Sequence, residues 1–476
     1  MAHFGIIGAG ISGLTLAWKL QLQGHRVTVW EASSNVGGAI RSERSGEWLA
    51  ENGPNSIQDS DHSVSELVES LGLTPRLIEA STEAKRRFIV RNKKPVLVPN
   101  SPLTAITTPL FSLAAKFNVL AEPFRSAPQS EPGFDEDLAS FVSRRLGNEF
   151  LDYTINPMVG GIYAGRPEKL SVRHAFPKVY ALETEFGSLI KGALGRMRQN
   201  RKSGKTSYRK RVLSFPNGLG ELTNELANKL GSNLLLNQKV LSVRRFSDRS
   251  FSVITTDSSR SPSVEKARPV ADMQPLGLKL PEITNEFHID RVVYAGTMWH
   301  LNDIQFQDMP GLPDALISDM TYAPVVTLTL GFKKDHIRHP LDGFGILIPE
   351  VEHFNILGCL FTSSIFPHRA PDGYVTMTAF VGGMRSPELV HLPDSEIKDL
   401  VITDLNKLIG ISGEVQFSSL FRWKKAIPQY ETGFQEYLDR MKSIEDLNPG
   451  FYFTGNYRTG ISLDACIRNS WNHTLV

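Results

Sequence analysis

The sequence predicts an α/β protein with more than one domain, and three observations lead to this prediction. The first is an apolar segment over residues 3–7, followed by a glycine-rich turn, a helical pattern and a second apolar segment over residues 26–30. The second is a short apolar segment near the other end of the chain, over residues 451–454, which again precedes a glycine-rich turn. The third is the length of 476 residues with 41% hydrophobic and 21% charged residues, a globular composition too long for one ordinary core.

The opening unit has the order strand, glycine turn, helix, strand and acidic residue that binds a dinucleotide in Rossmann-type folds. Gly8 allows a sharp turn, Gly10 lets a pyrophosphate approach the backbone, and Gly13 lets the helix pack closely on the strand. The helix N-terminus offers free N–H groups to phosphates. Glu31 ends the second strand, where its carboxylate suits ribose hydroxyls and disfavours the 2′-phosphate of NADP. The predicted contacts here are Gly8, Ala9, Gly10, Ile11, Ser12, Gly13, Glu31 and Ala32.

Further turns indicate FAD rather than NAD. Adjacent glycines at 37 and 38 precede Arg41, an arrangement that suits a loop lying against a second phosphate or the flavin. Residues 51–56 form another tight turn, and an NAD domain needs neither addition. Residues 455–460 form a glycine turn before a helical pattern over 461–471, so backbone N–H groups are again available to the cofactor. These segments add Gly38, Arg41, Gly53, Pro54, Asn55, Ser56 and Gly455 to the predicted FAD contacts.

Composition argues against several other classes of protein. The formal net charge of +2 gives no overall attraction to nucleic acid. With two cysteines, Cys359 and Cys466, the chain has no disulfide framework and no cysteine-based metal site, and we expect no metal. The sequence lacks a signal peptide and the run of about 20 apolar residues that spans a membrane, so we expect a cytoplasmic protein. Eight basic residues over 196–211 have the character of a nucleic-acid or membrane patch, but we interpret them as a solvated loop.

Several segments, in order along the chain, resemble the oxygen-dependent protoporphyrinogen oxidases, a branch of the amine-oxidase-like FAD flavoproteins. The most specific match is Ser-Ser-Ile-Phe-Pro-His-Arg-Ala-Pro over residues 363–371. The other matching segments are residues 160–165 with 169–171, 215–219, 343–349, 357–358, 426–430 and 455–463. Together they span nearly the whole chain.

The resemblance implies a discontinuous Rossmann-type FAD-binding domain, a mixed α+β substrate domain and an α-helical insertion that can touch a membrane. The FAD-binding domain would comprise residues 1–82, 214–300 and 431–476, the insertion residues 83–213, and the substrate domain residues 301–430. The sequence pattern agrees in outline, with helices over 136–151 and 220–230, a strand over 237–243 and an exposed loop over 258–281. A peripheral contact with the inner face of the membrane and a homodimer are both compatible with it.

The reaction implied by the resemblance is the FAD-dependent oxidation of protoporphyrinogen IX to protoporphyrin IX in haem biosynthesis, with O2 as acceptor and H2O2 as product. Gly161 would face the reacting bridge carbon and Arg87 would bind a propionate, with the adjacent Gly160 and Arg86 as the alternative matches. Leu347 and Phe366 would form apolar walls around the tetrapyrrole. Further FAD contacts implied by the resemblance are Val240, Trp423, Ile461, Ser462 and Leu463. The sequence shows no Ser-His-Asp set and no paired catalytic carboxylates, and flavin chemistry needs neither.

Three alternatives stay open. The same chemistry could convert coproporphyrinogen III, which has four propionates, to coproporphyrin III; the single predicted cation, Arg87, favours protoporphyrinogen. An amine oxidase or a carotenoid desaturase shares the fold, but residues 363–371 do not favour an aromatic cage. A non-catalytic escort or lipid-carrier protein without flavin has no reason to keep the glycine turn and Glu31. Arg458 and Asp464 depart from the pattern near the flavin, which leaves their effect on it open.

Overall fold

A five-stranded parallel sheet forms the centre of the molecule. The computed structural model describes residues 1–125, 134–202, 208–259, 284–458 and 460–473. The strands lie in the order β10 (Leu234–Leu235), β2 (Arg26–Trp30), β1 (His3–Ile7), β14 (Arg291–Tyr294) and β21 (Phe451–Phe453). Every neighbouring pair in this sheet is parallel. The chain therefore leaves the dinucleotide-binding unit and returns to it, as the two apolar segments at the ends of the sequence predict.

The two faces of this sheet belong to different cores. Phe4 and Ile6 pack with the helices α1 (Ile11–Leu22), α2 (His62–Ser70), α11 (Gly220–Leu230) and α16 (Leu463–Trp471). Ile7 and Trp30 pack on the other side, with α15 (Phe434–Leu447) and a four-stranded sheet. That sheet has the order β13 (Thr284–Ile289), β12 (Phe251–Asp257), β11 (Gln238–Arg245) and β15 (Gln305–Gln307). Because successive side chains of a strand alternate between faces, an unbroken apolar strand supplies both cores.

A seven-stranded sheet forms the second large unit. Its order is β20 (Phe417–Pro428), β16 (Tyr322–Lys333), β19 (Tyr374–Gly382), β18 (Ile356–Leu360), β17 (Gly345–Leu347), β7 (Arg87–Arg91) and β8 (Lys94–Leu97). The long helix α14 (Asp394–Ile409) contributes to the apolar core of this unit. Two shorter helices belong to the same part of the chain: α12 (Ala315–Ser318) precedes β16, and α13 (Thr362–Ile365) lies between β18 and β19.

The strands β7 and β8 lie inside the segment that the sequence predicts to be a helical insertion from residue 83. Helices begin only at Pro102, after both strands have joined the seven-stranded sheet. A short apolar run such as residues 88–90 does not by itself distinguish a strand from a buried helix, which explains the difference. Residues 87–97 are therefore part of the larger sheet, and the helical segment is shorter than expected.

The helical segment contains α3 (Pro102–Thr107), α4 (Leu113–Ala121), α5 (Leu138–Leu146), α6 (Asn148–Phe150), α7 (Asn156–Tyr163), α8 (Val172–Ala175), α9 (Pro177–Phe186) and α10 (Leu189–Lys202). A π-helical turn, Leu151–Ile155, joins α6 to α7. The helix predicted over 136–151 is thus confirmed, as are the helix over 220–230 and the strand over 237–243. No helix in the described parts of the chain is long and apolar enough to cross a membrane.

In the described part of the chain, three of the eight basic residues over 196–211 are paired with carboxylates, among them Arg209 with Glu79, and residues 196–202 lie in α10 rather than in the expected loop. Arg196 lies 3.1 Å from Glu185, and Arg211 lies 2.5 Å from the buried Asp59. Residues 203–207 lie outside the described residues, as does the predicted loop over 258–281 apart from its first two positions. Elsewhere in the described ranges, His, Cys, Asp and Glu side chains form no group of three or more that could hold a metal ion.

Two small sheets contact both large units. One pairs β3 (Ser42–Ser45) with β4 (Trp48–Glu51), and the other places β9 (Arg211–Ser214) between β5 (Ile57–Asp59) and β6 (Ile78–Glu79). Glu51 is buried at the end of β4 and faces the buried guanidinium of Arg369 at 3.6 Å. The Ser42 hydroxyl and the Leu219 N–H each donate a 2.7 Å hydrogen bond to Glu51. Burial raises the pKa of Glu51 to about 7, against the attraction of Arg369, and lowers the pKa of Arg369 to about 10.

This buried carboxyl predicts a pH-dependent stability. Since the pKa of Glu51 rises from 4.5 to about 7 on folding, the folded chain binds more protons than the unfolded chain between these pH values. The contribution of Glu51 to the free energy of unfolding is therefore greatest below pH 4.5 and falls as pH rises through about 7, by on the order of 3 kcal/mol. Denaturant unfolding across this range should show the wild type losing stability relative to Glu51→Gln as pH rises, because the neutral amide does not titrate. A difference that stays constant with pH would contradict this account.

Candidate active site

The first glycine turn has the shape that a pyrophosphate requires. Gly8 has φ +106°, a conformation that side chains other than glycine rarely adopt. A Cβ on Gly13 would overlap the carbonyl oxygen of Gly8, so α1 can approach β1 only with glycine there. A Cβ on Gly10 would meet no protein atom within 4 Å. The missing side chain of Gly10 therefore leaves open space beside the turn, which fits an approaching phosphate group.

Glu31 stands at the ribose end of this turn. Its carboxylate accepts hydrogen bonds of 2.9 Å from the N–H groups of Ala9 and Ser33. The N–H of Gln238, at the start of β11, donates to the Glu31 carbonyl at 2.8 Å. Val240 follows two residues later and is buried, so the middle segment meets the end of β2 where an adenosine would lie. Ala32 is adjacent, and its carbonyl accepts a 2.6 Å hydrogen bond from Ser258.

The second loop lies directly on the first. A Cβ on Gly38 would be 3.3 Å from the Cα of Gly10, and Gly37 forms a parallel β-bridge with Gly10. A Cβ on Gly53 would overlap the carbonyl oxygen of Ala39, so the turn after β4 packs against this loop. The turns over 37–41 and 51–56, which are separate in the sequence, therefore form one surface beside the glycine turn.

Trp423 closes the same surface from the seven-stranded sheet. Its indole N–H donates a 2.6 Å hydrogen bond to the carbonyl of Asn52. The guanidinium of Arg41 lies over the rings of Phe421 and Trp423, at 5.1 and 5.9 Å from their centroids. The guanidinium of Arg369 holds the next residues of the turn, through a 2.7 Å hydrogen bond to the carbonyl of Asn55. Pro54 and Ser56 flank that anchored residue.

The C-terminal segment reaches the site through α16. Ser462 is the N-cap of this helix, Ile461 precedes it, and Leu463 is the first helical residue. No side chain caps α16 or α1 among the described residues, so the first turns of both helices keep N–H groups available. The side chain of Cys466 on α16 interacts with that of Ser12 on α1. Two uncapped helix N-termini from opposite ends of the chain thus lie together, as a bound dinucleotide requires.

Tyr430 supports this return segment and was not predicted as a site residue. Its hydroxyl donates to the carbonyl of Asn456 at 2.6 Å and accepts from the N–H of Gly460 at 2.9 Å. Gly455, at the start of the turn, has φ +154°. Tyr430 ends the segment 426–430 that carries part of the resemblance. The sequence therefore marks this segment, but it does not indicate that the tyrosine supports the C-terminal turn.

The two departures near the flavin have structural partners. Arg458 forms an ion pair with Glu445 and donates a 2.9 Å hydrogen bond to the carbonyl of Phe453. Although burial opposes it, the Glu445 carboxylate holds the pKa of Arg458 above its usual value. Asp464 is buried in the first turn of α16, and Arg468 lies 4.0 Å from it. Arg458 is thus held by α15 and stabilises the turn.

Three of the predicted substrate residues lie together. In the parallel pairing of β7 with β17, Arg87 is opposite Gly345 and Ile89 is opposite Leu347, so Arg87 and Leu347 share one face of the sheet. A Cβ on Gly161 would lie 2.6 Å from a methyl group of Leu347. Gly161 is also exposed, whereas Gly160 is buried. Of the two adjacent glycines, Gly161 is therefore the exposed one beside Leu347, and we call the surface formed by Arg87, Leu347 and Gly161 the candidate cleft.

The two adjacent arginines have different surroundings. Arg86 forms an ion pair with Asp342. Arg87 is exposed, its guanidinium lies 5.4 Å from the ring centroid of Phe344, and no carboxylate of the described residues lies within ion-pair distance. Arg87 is therefore the arginine that is free to bind an added carboxylate.

Phe366 lies behind the cleft rather than on its surface. It is fully buried in a small cluster with Ala84 and Ile365, against which Phe344 packs. The guanidinium of Arg369 lies 4.6 Å from its ring centroid. Phe344, over whose ring the Arg87 guanidinium lies, packs against this cluster. Phe366 itself has no exposed ring face.

Comparison with known proteins adds a family to this geometry. Residues 11–472 match the model of the family described as flavin containing amine oxidoreductase. A protoporphyrinogen oxidase 2 of Arabidopsis thaliana, chloroplastic or mitochondrial, is 32% identical, with 97% of this chain and 91% of that protein covered. A coproporphyrinogen III oxidase of Bacillus subtilis is 27% identical, with 98% and 95% covered. A solved structure from Exiguobacterium sp. 255-15, assigned as a protoporphyrinogen oxidase, has TM-score 0.77 at 22% identity and covers 99% of this chain and 97% of its own.

The open space at Gly10 predicts a selective loss of cofactor. Gly10→Val adds a branched side chain where no protein atom lies within 4 Å, so the protein should fold but lose the space beside the turn. We expect purified Gly10→Val to be colourless while its circular dichroism matches that of the cofactor-free wild type. Gly10→Ala should retain an intermediate amount. Flavin absorbance per chain measures the effect, and stoichiometric flavin in Gly10→Val would contradict the assignment of this turn.

Proposed function

The chain belongs to the flavin-containing amine oxidoreductases, and we propose that it oxidises protoporphyrinogen IX to protoporphyrin IX in porphyrin biosynthesis. Relatives that are protoporphyrinogen and coproporphyrinogen oxidases match over nearly the full length of the chain. The observation that carries the proposal is the cleft itself. It combines an unpaired cation, Arg87, with the apolar Leu347 and the exposed backbone of Gly161.

The FAD cofactor would be held by the two uncapped helix N-termini, Glu31 and the paired loops under Trp423. When bound, FAD would supply the redox chemistry, since in each oxidation the substrate loses one hydride, which carries both electrons, and one proton. Conversion of a porphyrinogen to a porphyrin removes six electrons and six hydrogens, so three molecules of O2 would yield three of H2O2. The chain contributes binding and orientation.

Each cleft residue would contact a different part of the tetrapyrrole, which is a large apolar disc with charged propionates at its edge. The guanidinium of Arg87 can form a bidentate pair with a propionate, which places one edge of the tetrapyrrole. Leu347 lies on the same sheet face and offers apolar contact to the ring system. Gly161 has no side chain, so its backbone can approach the bridge carbon of the substrate closely.

The number of cations at the cleft bears on which porphyrinogen is used. Protoporphyrinogen has its two propionates on one edge and vinyl groups elsewhere, whereas coproporphyrinogen has four propionates. Arg87 is one free cation beside apolar neighbours, which favours protoporphyrinogen. Measuring kcat/KM for both substrates in air, by porphyrin fluorescence and peroxide formation, tests this choice. A clear preference for coproporphyrinogen would reverse it without affecting the chemistry.

We also propose that the helical segment rests on a membrane surface. Leu113, Phe117 and Leu120 share one side of α4 by their spacing and are 73%, 69% and 67% exposed. Leu103 and Ile106 on α3 are 72% and 69% exposed. The Lys116 ammonium ties the two helices together, through hydrogen bonds of 2.7 and 2.8 Å to carbonyls at residues 106 and 108. Such an apolar face on short helices suits the acyl–headgroup boundary of a bilayer.

Removal of the free cation should weaken substrate binding. A charge-assisted pair with a propionate is worth roughly 1.5–3 kcal/mol, so Arg87→Ala should raise KM on the order of ten- to a hundredfold while FAD stays bound. Arg87→Lys should recover only part of the loss, because an ammonium lacks the planar fork. Arg86→Ala is the matched control, since Arg86 is paired with Asp342. The interpretation fails if Arg86→Ala has the larger effect on KM.

Polar substitution on α4 should reduce membrane binding. Burying a Leu or Phe side chain contributes roughly 1.5–3 kcal/mol, so Phe117→Ser with Leu120→Ser should lower the partition onto vesicles at least about tenfold. Flotation with vesicles of phosphatidylcholine and phosphatidylglycerol measures this partition. Leu447→Ser provides a control at another exposed leucine, 51% accessible on α15. Equal binding of the double variant and this control would rule out α4 as the contact.

A further inference from the structure

Arg385 is a buried arginine outside both predicted sites. It follows β19, after a turn in which Gly382 and Gly383 have φ +94° and +67°. Its side chain is 8% exposed. Burial lowers the pKa of Arg385 to about 10, so the group remains a cation at neutral pH.

The guanidinium of Arg385 connects α7 to the end of β17 in the seven-stranded sheet. Nη2 donates 2.7 Å hydrogen bonds to both the carbonyl and the side-chain oxygen of Asn156, the first residue of α7. Nη1 donates at 2.8 Å to the carbonyl of Ile348, directly after β17. Glu350 lies 3.9 Å away and supplies the nearest carboxylate among the described residues. One side chain thus links the start of the helix to the end of the strand.

The contact with α7 depends on a glycine. A Cβ on Gly160 would lie 2.8 Å from Nη2 and 3.1 Å from Cζ of Arg385, closer than real side chains come. The same turn holds the other end of the helix, because the N–H of Met384 donates to the carbonyl of Ala164 at 2.7 Å. The turn over 382–385 therefore determines how close α7 lies to β17.

We propose that Arg385 is a positioning residue for the substrate cleft, acting through Gly161. Gly161 follows the glycine that rests on the guanidinium, and a Cβ on it would lie 2.6 Å from a methyl group of Leu347, so its backbone lies directly beside that side chain. A displacement of α7 moves the exposed backbone of Gly161 relative to Leu347, and so changes the surface that the two residues together present to a tetrapyrrole. This inference rests on the proposed function, since it assumes that the tetrapyrrole lies against these two residues.

The matched comparison is between Arg385→Met and Arg422→Met. Arg422 is on the same sheet and donates 2.8 Å hydrogen bonds to the carbonyl of Leu392 and to Asp394, but it does not contact α7. We expect Arg385→Met to raise KM for protoporphyrinogen and the Kd for protoporphyrin, by on the order of tenfold, with unchanged FAD per chain. Arg385→Lys should restore part of both. Arg422→Met should leave both constants within about twofold of the wild type.

The hydrogen-exchange rates of the backbone amides of residues 156–163 measure the stability of α7 independently of catalysis. We expect faster exchange in α7 for Arg385→Met than for Arg422→Met. If Arg385→Met fails to fold, Gly160→Ala serves instead, because it pushes the helix away from an intact guanidinium. Faster exchange with unchanged KM and Kd would overturn the positioning role, and unchanged exchange would overturn the contact. A wild type that neither oxidises the porphyrinogen nor binds the porphyrin would refute the proposed function instead.

Discussion

The buried ion pair of Glu51 with Arg369 joins the two halves of the site. Glu51 ends a strand of the FAD-binding unit, whereas Arg369 belongs to the segment that leaves the seven-stranded sheet. The Arg369 guanidinium is fully buried, and the Glu51 carboxyl is the acidic group that faces it. The same guanidinium holds Asn55 in the cofactor turn and covers the ring of Phe366. Phe344, over which Arg87 lies, packs against the cluster that contains Phe366, so Arg369 connects the turn after β4 with the surroundings of Arg87.

Several close approaches in this site depend on glycines, which have no side chain. Gly13 brings the first helix onto its strand, Gly53 brings two loops together, and Gly160 brings α7 onto Arg385. In each case a Cβ would meet backbone or a fixed side chain, so the approach is possible only with glycine. Gly10 differs, because its open side faces no protein atom and instead leaves room for a ligand. The sequence alone does not distinguish a glycine that permits close packing from one that leaves room for a cofactor.

The parts of the fold that the sequence predicts correctly are those that depend on the spacing of nearby residues. The strand, turn and helix of the opening unit need only the glycine pattern and apolar alternation, and the helix over 220–230 needs only its period. The pairing of β7 with β17 was missed because it joins distant segments of the chain. Arg385 and Tyr430 were missed because a buried arginine and a supporting tyrosine look like ordinary residues until their partners are known. Phe366 was expected on the cleft surface, and its burial depends on the packing of Arg369.

The return of the chain to its first sheet has a consequence for biosynthesis. The strands β1 and β2 are translated long before β14 and β21 of the same sheet, which comprise residues 291–294 and 451–453. The nascent N-terminal strand β1 therefore exposes an unpaired edge and the apolar face of Phe4 and Ile6 while most of the protein is being translated. Contacts between such distant segments form slowly, and unpaired edges invite aggregation. The sheet that carries the first glycine turn is therefore complete only once residues 451–453 have been made, and its earlier strands must avoid wrong pairings until then.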